Sequence, residues 1–446
     1  MSSGIKKSLI TLAVSSAILS PAVFATNGYF AHGYSTKEKG LAGAGVAYSQ
    51  DSLASATNPA GLVNVGERMD VGGALFNPNR QYTASAATGG PGTFPLAPGT
   101  YESSHKVFFI PHIGYTMKLD DTSVLGFAAY GNGGMNTDYQ NVPGPGTFGG
   151  GSAGVDLAQL FINASYAKKL NDDHAVGASL IFAYQTFKAT GLANFAPFSL
   201  APTKLSDNDK DSSSGFGAKL GWQGKVASGV TLGASYQTQI SMSEFDKYAG
   251  LFAESGDFDI PATLILGAAY DIDDKSKVVV DVQSIYYSDV AAIGNGIQPL
   301  LNGSCTPGAP ATGGTGNGCL GGSAGAGFGW DDMTVIKLGY QWMMDDMTMR
   351  VGISNGSNPI KGGPNGTGPG QPSGSQVMFN ILAPGIVETH LTFGMTMPMG
   401  DNAEFSFAGM YALSNEVSGN TQFDQTQTVT LEMEQFELQG TYTMKF

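Results

Sequence analysis

Residues 436–446 read Phe436-Glu437-Leu438-Gln439-Gly440-Thr441-Tyr442-Thr443-Met444-Lys445-Phe446, and every second residue of this stretch is apolar or glycine. Side chains alternate between the two faces of a β-strand, so this segment predicts a strand with one apolar and one polar face. At a C-terminus, and ending on an aromatic residue, the pattern is typical of the closing strand of an outer-membrane barrel. We also expect the barrel-assembly machinery of a Gram-negative bacterium to recognise this strand.

Residues 1–25 are typical of a secretory signal peptide. Two lysines precede an apolar stretch, residues 9–19, that is too short to span a bilayer. Small side chains then lead to a cleavage site after Ala25, so we expect the mature chain to begin at Thr26. An uncleaved membrane anchor is the alternative interpretation.

Beyond the signal peptide, the composition favours an exported all-β protein. No later run of eighteen or more apolar residues is present, so transmembrane helices are excluded. The 64 glycines also disfavour helices, because glycine is costly in helix interiors. A closed β-barrel is the other architecture that pairs every backbone polar group within lipid. A soluble periplasmic or secreted β-protein is the alternative.

The charge balance limits the kind of partner. Without the two lysines of the signal peptide, 20 of the 22 basic residues remain against 36 acidic residues, a net charge of −16. Such a negative charge disfavours nucleic acid as a partner.

The two cysteines, Cys305 and Cys319, lie in a segment rich in Gly, Pro and Thr. In an exported chain this pattern predicts a loop disulfide, which the chain-entropy model values at roughly 3 kcal/mol. Two cysteines alone make no zinc site, so neither a metal nor a cofactor is predicted.

From residue 67 onward, tight connections alternate with long ones. The tight ones carry the Asn, Asp and Gly residues that hairpin turns need, and they are 120–121, 171–173, 227–229, 271–276, 345–346 and 399–402. The long ones are rich in Gly, Pro, Ser and Asn and lie near 77–103, 136–153, 191–212, 243–257, 294–328, 355–385 and 416–429. Six tight turns and seven long loops separate fourteen strands. We therefore predict a 14-stranded antiparallel transmembrane β-barrel over residues 67–446, because single-chain bacterial barrels have an even strand number.

Alternation along the strands predicts which side chains point into the barrel. Several of these positions are apolar, namely Phe108, Ile110, Ile181, Phe187, Ile265 and Met410. Packing against a plug is the alternative interpretation for any single one of them. Together they favour a passage for hydrophobic molecules over a water-filled pore, since fourteen strands enclose more room than side chains can fill.

Residues 26–66 lack strand alternation and are rich in small residues, as in Gly40-Leu41-Ala42-Gly43-Ala44-Gly45. Small side chains allow close packing against a wall. We therefore predict that this segment is a compact plug, or hatch, inside the barrel. A disordered periplasmic tail is the alternative.

This segment also carries the strongest part of a resemblance that extends from about Gly28 to Phe446. Asn58-Pro59-Ala60, after the stretch rich in Gly and Ala, is similar to the plug motif of the FadL family of outer-membrane transporters for long-chain fatty acids, which includes the TodX-type aromatic-hydrocarbon channels. Further similarity lies at residues 259–262, 286–289, 330–332, 345–352 and 358–360. The family fold is a fourteen-stranded barrel with an N-terminal hatch, in agreement with the strand count.

The resemblance implies passive uptake of long-chain fatty acids or related hydrocarbons across the bacterial outer membrane. A molecule would land in a groove between extracellular loops, pass to a deeper apolar pocket and be released when the hatch rearranges. It would then leave sideways, beside an inward kink in the third strand, into a membrane of lipid and lipopolysaccharide.

In this chain the third strand contains Tyr130-Gly131-Asn132-Gly133-Gly134. Glycine within a strand weakens pairing and permits a bend, so three glycines in four residues predict a kink here. A frayed strand end is the alternative.

Three basic residues are candidates for binding a fatty-acid carboxylate. Lys337 and Arg350 alternate with lipid-facing neighbours and therefore point inward, where charge-assisted hydrogen bonds could hold an acid. Pairing with lumenal acids such as Asp281, Glu404 or Glu437 is the alternative. Lys188 lies near a basic residue of the family pattern, but its facing is ambiguous. Neutral hydrocarbons therefore stay open as ligands.

Catalysis is not predicted. Gly-x-Ser-x-Gly occurs at 150–154, 321–325 and 352–356, as expected by chance with this much glycine, and none lies at the strand-to-helix elbow that the chemistry requires. The five histidines have no metal-like spacing. Besides a transporter, the alternatives are a general diffusion porin, which would pass sugars, and a surface adhesin or receptor whose loops bind a partner.

Overall fold

Fourteen long strands make up most of the chain that the computed structural model describes, namely residues 26–89, 95–360, 375–421, 424 and 426–446. They are β1 (Arg68–Ala84), β2 (Phe108–Lys118), β3 (Ser123–Tyr139), β4 (Ala153–Lys169), β5 (His174–Thr190), β6 (Asp211–Ala227), β7 (Val230–Gln237), β8 (Thr263–Asp271), β9 (Ser276–Ile285), β10 (Met333–Met344), β11 (Met347–Gly356), β12 (Thr389–Pro398), β13 (Ala403–Asn420) and β14 (Thr428–Lys445). The predicted signal peptide, residues 1–25, lies outside the described residues.

Neighbouring strands pair antiparallel, and the sheet closes between the last strand and the first. β14 pairs with β1 from Val429 opposite Ala84 to Lys445 opposite Arg68. The fold is therefore a closed 14-stranded antiparallel barrel, which confirms the predicted fold class. Tight turns of two to four residues alternate with long loops, also as predicted. Within the described part of the chain, no helix is both long enough and apolar enough to span a membrane.

Exposure alternates along the strands as the sequence predicted. On β10, Ile336 and Leu338 are 56% and 46% exposed, whereas Lys337 between them is 3% exposed. Tyr340 and Trp342 follow on the outward face of the same strand and stack on each other. The outward residues form an apolar surface of the kind that faces lipid, with aromatic residues toward its edge.

β1 is longer than the sequence predicted. A loop was expected from residue 77, whereas the strand continues to Ala84 because residues 77–84 stay paired with β14. β2 pairs only with Arg68–Phe76. Beyond Phe76, β1 therefore has no β2 partner on that edge. Pro78, which has no N–H, is tolerated there because no hydrogen bond to β2 is lost.

Short helices lie in the N-terminal residues and in the long loops. α1 (Thr36–Lys39) and α2 (Ala54–Thr57) precede the 3-10 helix Pro59–Asn64, and the loops contain α3 (Ala253–Gly256), α4 (Ala291–Gly294), α5 (Gln298–Leu301) and α6 (Ser375–Phe379). Four more strands of two to four residues join the sheet, namely Thr26–Asn27, Phe30–Ala31, Gly99–Glu102 and Ser241–Met242. The loops also hold the 3-10 turns Ala193–Phe198, Pro202–Lys204, Asp246–Tyr248 and Tyr287–Asp289.

Residues 26–66, which we call the N-terminal segment, pack against inward-facing side chains on several sides of the barrel. The hydrogen-bond acceptors are Asp70 on β1, Asp281 on β9 and Thr392 on β12, which accept backbone N–H groups of the segment at 2.8–2.9 Å. Because these strands lie far apart around a closed ring, the segment that touches all of them lies within the ring.

Buried ion pairs fix the segment to the strands near the point of closure. Lys37 pairs with Glu404 on β13, and Lys39 pairs with Glu437 on β14. Arg68 at the start of β1 also reaches Glu404, at 2.7 Å. Removing one partner of such a buried pair leaves an uncompensated charge, so these contacts define the position of α1 more than they add net stability.

Inward-facing glycines of the wall make room for the segment. A Cβ atom at Gly221 would lie 2.0 Å from Asn58 Oδ1, and one at Gly352 would lie 2.6 Å from the backbone nitrogen of Ala42. The other wall glycines within 3 Å of the segment by the same measure are Gly114, Gly126, Gly133, Gly177, Gly233, Gly267, Gly339 and Gly394. The barrel wall thus contacts the N-terminal segment backbone to backbone in many places.

Gly221→Val should displace Asn58 from the wall and open a water-filled path, because the new Cβ cannot lie 2.0 Å from the amide oxygen. Sugar permeation in a liposome swelling assay should rise above that of the parent. Gly409→Val is the matched control, since a Cβ there meets its nearest neighbour, Leu438, at an ordinary 3.6 Å. Equal permeation by both variants, with heat-modifiable gel mobility intact, would contradict the prediction.

Candidate functional site

An apolar groove opens between the long loops at one end of the barrel. Its volume is about 420 Å³, and its lining includes Leu96, Phe148, Phe195, Pro307, Pro310 and Met378. These residues come from loops that are distant in sequence, so the groove exists only when the loops pack together. Its apolar lining suits a hydrophobic molecule arriving from solvent.

A smaller cavity of about 50 Å³ lies next to the groove and shares Phe195 with it. Phe187 on β5 and Phe252 in the β7–β8 loop form part of its wall, and their rings lie 4.7 Å apart. All of its described lining residues are apolar or glycine. A charged ligand group would therefore find no partner in this cavity.

The six apolar residues predicted to face the lumen are all buried, none more than 5% exposed. Five belong to one large apolar cluster with the loops and the first residues of the N-terminal segment, and Phe187 among them lines the cavity. Ile265 is different, because it packs with Leu41 and Val46 of the N-terminal segment. For Ile265, plug packing is therefore the interpretation that the structure supports.

The motif Asn58-Pro59-Ala60 lies where the N-terminal segment meets β5 and β6. The Asn58 amide nitrogen donates to Val46 O at 2.7 Å and to Trp222 O at 2.9 Å, and its oxygen accepts from the Ala60 N–H at 3.1 Å. One side chain thus caps the 3-10 helix and joins two parts of the segment to the wall.

The third strand is interrupted at the predicted glycines. Gly131 pairs with Leu160 and Gly133 pairs with Gln159, so Asn132 is the extra residue of a β-bulge. β2 pairs with β3 only up to Tyr130, although β3 continues to Tyr139. From Gly131 to Thr137 every residue is buried, so the alternation of exposed and buried residues is lost in this half of β3.

The N-terminal segment occupies the edge that β2 leaves. Phe30 pairs with Gly133, and the Gly134 N–H donates to Tyr29 O at 3.0 Å. A pocket of about 460 Å³ lies beside this part of β3, between Phe108 at the start of β2 and Val155 on β4, and most of its lining is polar or charged. Tyr29 and Phe30 therefore bind to the part of β3 that β2 leaves unpaired.

Two of the three basic candidates contact the N-terminal segment. Lys337 donates to His32 O at 3.1 Å and to Gly43 O at 3.3 Å, and Arg350 donates to Gln50 Oε1 at 2.8 Å. Lys188 is exposed on the outward face of β5, so its side chain points away from the lumen. The structure thus places none of the three in the wall of the apolar cavity.

The acids that were expected to pair with these cations have other partners. Asp281 accepts the backbone N–H groups of Gly45 and Val46, and Glu437 pairs with Lys39. The charged residues of the lumen therefore hold the N-terminal segment.

The turn at Asn27–Phe30 was missed by the sequence reasoning. Tyr287 donates its hydroxyl hydrogen to Asn27 O at 2.5 Å. The Tyr287 hydroxyl oxygen in turn accepts from the Tyr29 N–H at 3.2 Å. Gly28 has φ +67, and a Cβ there would lie 2.6 Å from the Tyr287 hydroxyl. Gly28 beside two aromatic residues is a sequence signal for a turn, but a partner 258 residues away cannot be derived from local pattern.

Cys305 and Cys319 form a disulfide with a Cα–Cα distance of 4.6 Å. The bridge closes the loop that contributes Pro307 and Pro310 to the groove. Among the described residues, no group of three or more His, Cys, Asp and Glu side chains could hold a metal ion.

Three acids, Glu254, Asp257 and Asp259, lie close together in the β7–β8 loop. Burial, and then the charges of Asp259 and Glu254, raise the pKa of Asp257 to about 7. Asp259 accepts hydrogen bonds from Gln239 Nε2 at 2.8 Å and from the Met242 N–H at 2.7 Å. The loop that carries Phe258 therefore disfavours a further negative charge.

Comparison with known proteins gives a consistent result. The family described as outer membrane protein transport protein (OMPP1/FadL/TodX) matches residues 19–366. The P. putida toluene transporter TodX has a TM-score of 0.65 at 16% identity, covering 93% of this chain and 99% of that chain. A Pseudomonas aeruginosa FadL homologue gives 0.63 at 15% identity, with 93% and 99% covered, and the Ralstonia pickettii toluene transporter TbuX gives 0.59 at 18%, with 93% and 99% covered. No curated protein sequence matches the chain.

Asp257→Asn should stabilise the protein more at pH 8 than at pH 4. A carboxyl group whose folded pKa is raised binds more protons in the folded state than in the unfolded state between its ordinary pKa and about 7, so stability falls as pH rises through that window. The asparagine removes this loss. Thermal unfolding followed by circular dichroism in detergent measures the difference between variant and parent. A difference that is the same at both pH values would show that the carboxyl group is not responsible.

Proposed function

This chain belongs to the outer membrane transport proteins described as OMPP1/FadL/TodX, and from that premise we propose that it carries long-chain fatty acids or related hydrocarbons passively across the outer membrane. The single observation that carries the proposal is a pair of adjoining apolar spaces, the loop groove and the cavity, the second of which is lined by Val155 on β4, opposite the part of β3 that β2 leaves unpaired. The ligand would move along these spaces from the outside toward the lipid.

The ligand first binds in the loop groove and then moves past Phe195 into the cavity. The two spaces share this residue, so a rotation of one ring connects them. Each step keeps apolar surface out of water, which is the driving force available to a passive carrier. The small cavity volume requires the loops or the N-terminal segment to move before a long chain can pass.

The N-terminal segment acts as a hatch, and its first residues are the moving part. Residues 29–30 make one strand pairing and a few hydrogen bonds with β3 and Tyr287. The rest of the segment is held by ion pairs, glycine contacts and Asn58. The turn has no ion pair of its own among the described residues and makes few backbone hydrogen bonds, so we expect it to leave first, once the Tyr29 and Phe30 rings leave their contacts with Tyr287 and Trp330.

When the turn leaves, the ligand exits sideways between β2 and the half of β3 that β2 leaves unpaired. A hydrophobic molecule released there enters lipid and never crosses water as a free solute. The outward apolar surface contacts outer-membrane lipid, and the loop end contacts lipopolysaccharide. We assign the protein to the bacterial outer membrane, with assembly guided by β14.

Uptake measurements test the function. A strain that lacks the chain and a complemented strain are compared for uptake of radiolabelled oleate, hexadecane and toluene, and we expect complementation to raise uptake of at least one. Phe195→Lys should abolish the gain, because a charge then stands where the two apolar spaces meet. Leu200→Lys, at a 42% exposed position in the same loop, is the control that should retain it. Equal uptake of all three molecules by both strains would overturn the proposal.

Gly133→Val should release the N-terminal turn, since a Cβ at this position would lie 2.2 Å from Tyr29 O. In an Ala31→Cys background, maleimide labelling should become faster, and uptake of the transported molecule should rise because the hatch stands open. Cys305 and Cys319 do not compete, because they are bonded to each other. Ala129→Val, on the outward face of the same strand, is the control. Faster labelling without faster uptake would show that the turn is not the gate.

A further inference from the structure

A row of side-chain amides lies on the inner face of three adjacent strands, directly below the apolar cavity. Asn132 Nδ2 donates to Gln159 Oε1 at 3.0 Å, and Gln159 Nε2 donates to Gln185 Oε1 at 3.0 Å. Gln185 Nε2 donates in turn to Phe258 O at 2.8 Å. Gln185 is the next inward residue on β5 after the cavity residue Phe187. The layer next to the apolar lining, on the side away from the loops, is therefore polar but uncharged.

Two side chains of the N-terminal turn present unpaired polar atoms in the same region. The Tyr29 hydroxyl has the Gln159 side-chain amide as its polar neighbour, but within the described residues it makes no hydrogen bond of normal geometry. Both polar atoms of the Asn27 amide are unpaired among those residues. Tyr29 is 1% exposed and Asn27 is 0% exposed. Buried polar groups nearly always have a well-formed partner, and the described residues do not supply one here.

Only one aromatic ring separates the Tyr29 side chain from the cavity. The Phe258 ring lies 6.2 Å from the Tyr29 ring and 4.8 Å from the ring of the cavity residue Phe252. A rotation of Phe258 would therefore join the apolar space to the hydroxyl. Such a joined space has an apolar body and a polar end.

The charges around this end select against an anion. Phe258 is flanked by Asp257 and Asp259, whose carboxyl groups repel a second carboxylate. The lumenal cations Lys337 and Arg350 are hydrogen bonded to the N-terminal segment and do not line the cavity.

From this arrangement we propose that the cavity accepts molecules with an apolar body and one neutral hydrogen-bonding group, a hydroxyl or a carbonyl, which binds to Tyr29 and Asn27. The inference rests on the proposed function and narrows its substrate class. Because Tyr29 also pairs its backbone with β3, the ligand group binds to the same turn that closes the wall. Ligand binding and release of the hatch thus involve one residue.

The test compares toluene, p-cresol and 4-methylbenzoate, which share a ring and a methyl group and differ in the polar substituent. Equilibrium binding to the full-length protein in detergent is measured by calorimetry for the parent, Tyr29→Phe and Tyr139→Phe. Tyr139 is the matched control, because its buried hydroxyl already donates to Ile381 O at 3.1 Å. Heat-modifiable gel mobility shows that each variant is folded, and Asn27→Ala is a second variant that leaves the Tyr29 ring in place.

In the parent, p-cresol should bind more tightly than toluene, and 4-methylbenzoate should bind most weakly. In Tyr29→Phe, the ratio of p-cresol to toluene affinity should fall by about three- to tenfold, the value of one hydrogen bond. Tyr139→Phe should leave the ratio unchanged, and Asn27→Ala should lower it. An unchanged ratio in Tyr29→Phe, or binding of 4-methylbenzoate as tight as that of p-cresol, would overturn the inference while toluene transport stands. Failure of toluene, oleate and hexadecane alike in uptake would overturn the proposed function and this inference with it.

Discussion

Closure of the sheet between β14 and β1 is the constraint on which the other features depend. Within lipid, an unpaired backbone N–H or C=O costs several kcal/mol, so a wall of strands must have no open edge. The same two strands also hold the N-terminal segment. Thr36 on α1 lies 2.5 Å from Thr441, oxygen to oxygen, and Lys39 pairs with Glu437 on β14. The strand that closes the barrel therefore also positions the N-terminal segment.

β3 is the departure from this rule. A bulge at Asn132 separates the part of the strand that pairs with β2 from the part that does not, and the edge that β2 no longer covers is partly met by Phe30 and Tyr29. Without the N-terminal turn, these backbone groups of β3 would lose their partners. The same few hydrogen bonds thus hold the turn and complete the pairing of β3.

The chemistry of the interior divides along the barrel axis. Aromatic and aliphatic side chains fill the loop end, amides form the layer next to that region, and charges lie around the N-terminal segment. Lys337 and Arg350 contact the segment, and Arg80 donates to Asn136 O and His105 O. Inward-facing basic residues alone are therefore poor indicators of a ligand carboxylate. Ile265 shows the same limit for apolar residues, since it packs against the segment and not around a ligand space.

Much of this structure was predictable, because it depends on patterns that are local in sequence. The two-residue period indicated which face of β10 is exposed, the turn residues gave the strand number, and a β-bulge lies at the glycines after Tyr130. The predicted start of the first loop at residue 77 was wrong, because β14 keeps residues 77–84 in the sheet. The outward direction of Lys188 became clear only from its neighbours Phe187 and Ala189, which are buried.

By itself, the sequence determined the alternation of faces and the places where the chain turns, since both follow from the geometry of a single strand and its turn residues. The tertiary structure alone decided which partner each inward side chain meets. Tyr287 holds a turn 258 residues before it, and Phe195 joins a groove to a cavity built from six loops or strands. Such contacts depend on how the closed ring brings distant strands and loops together, and no local pattern encodes that.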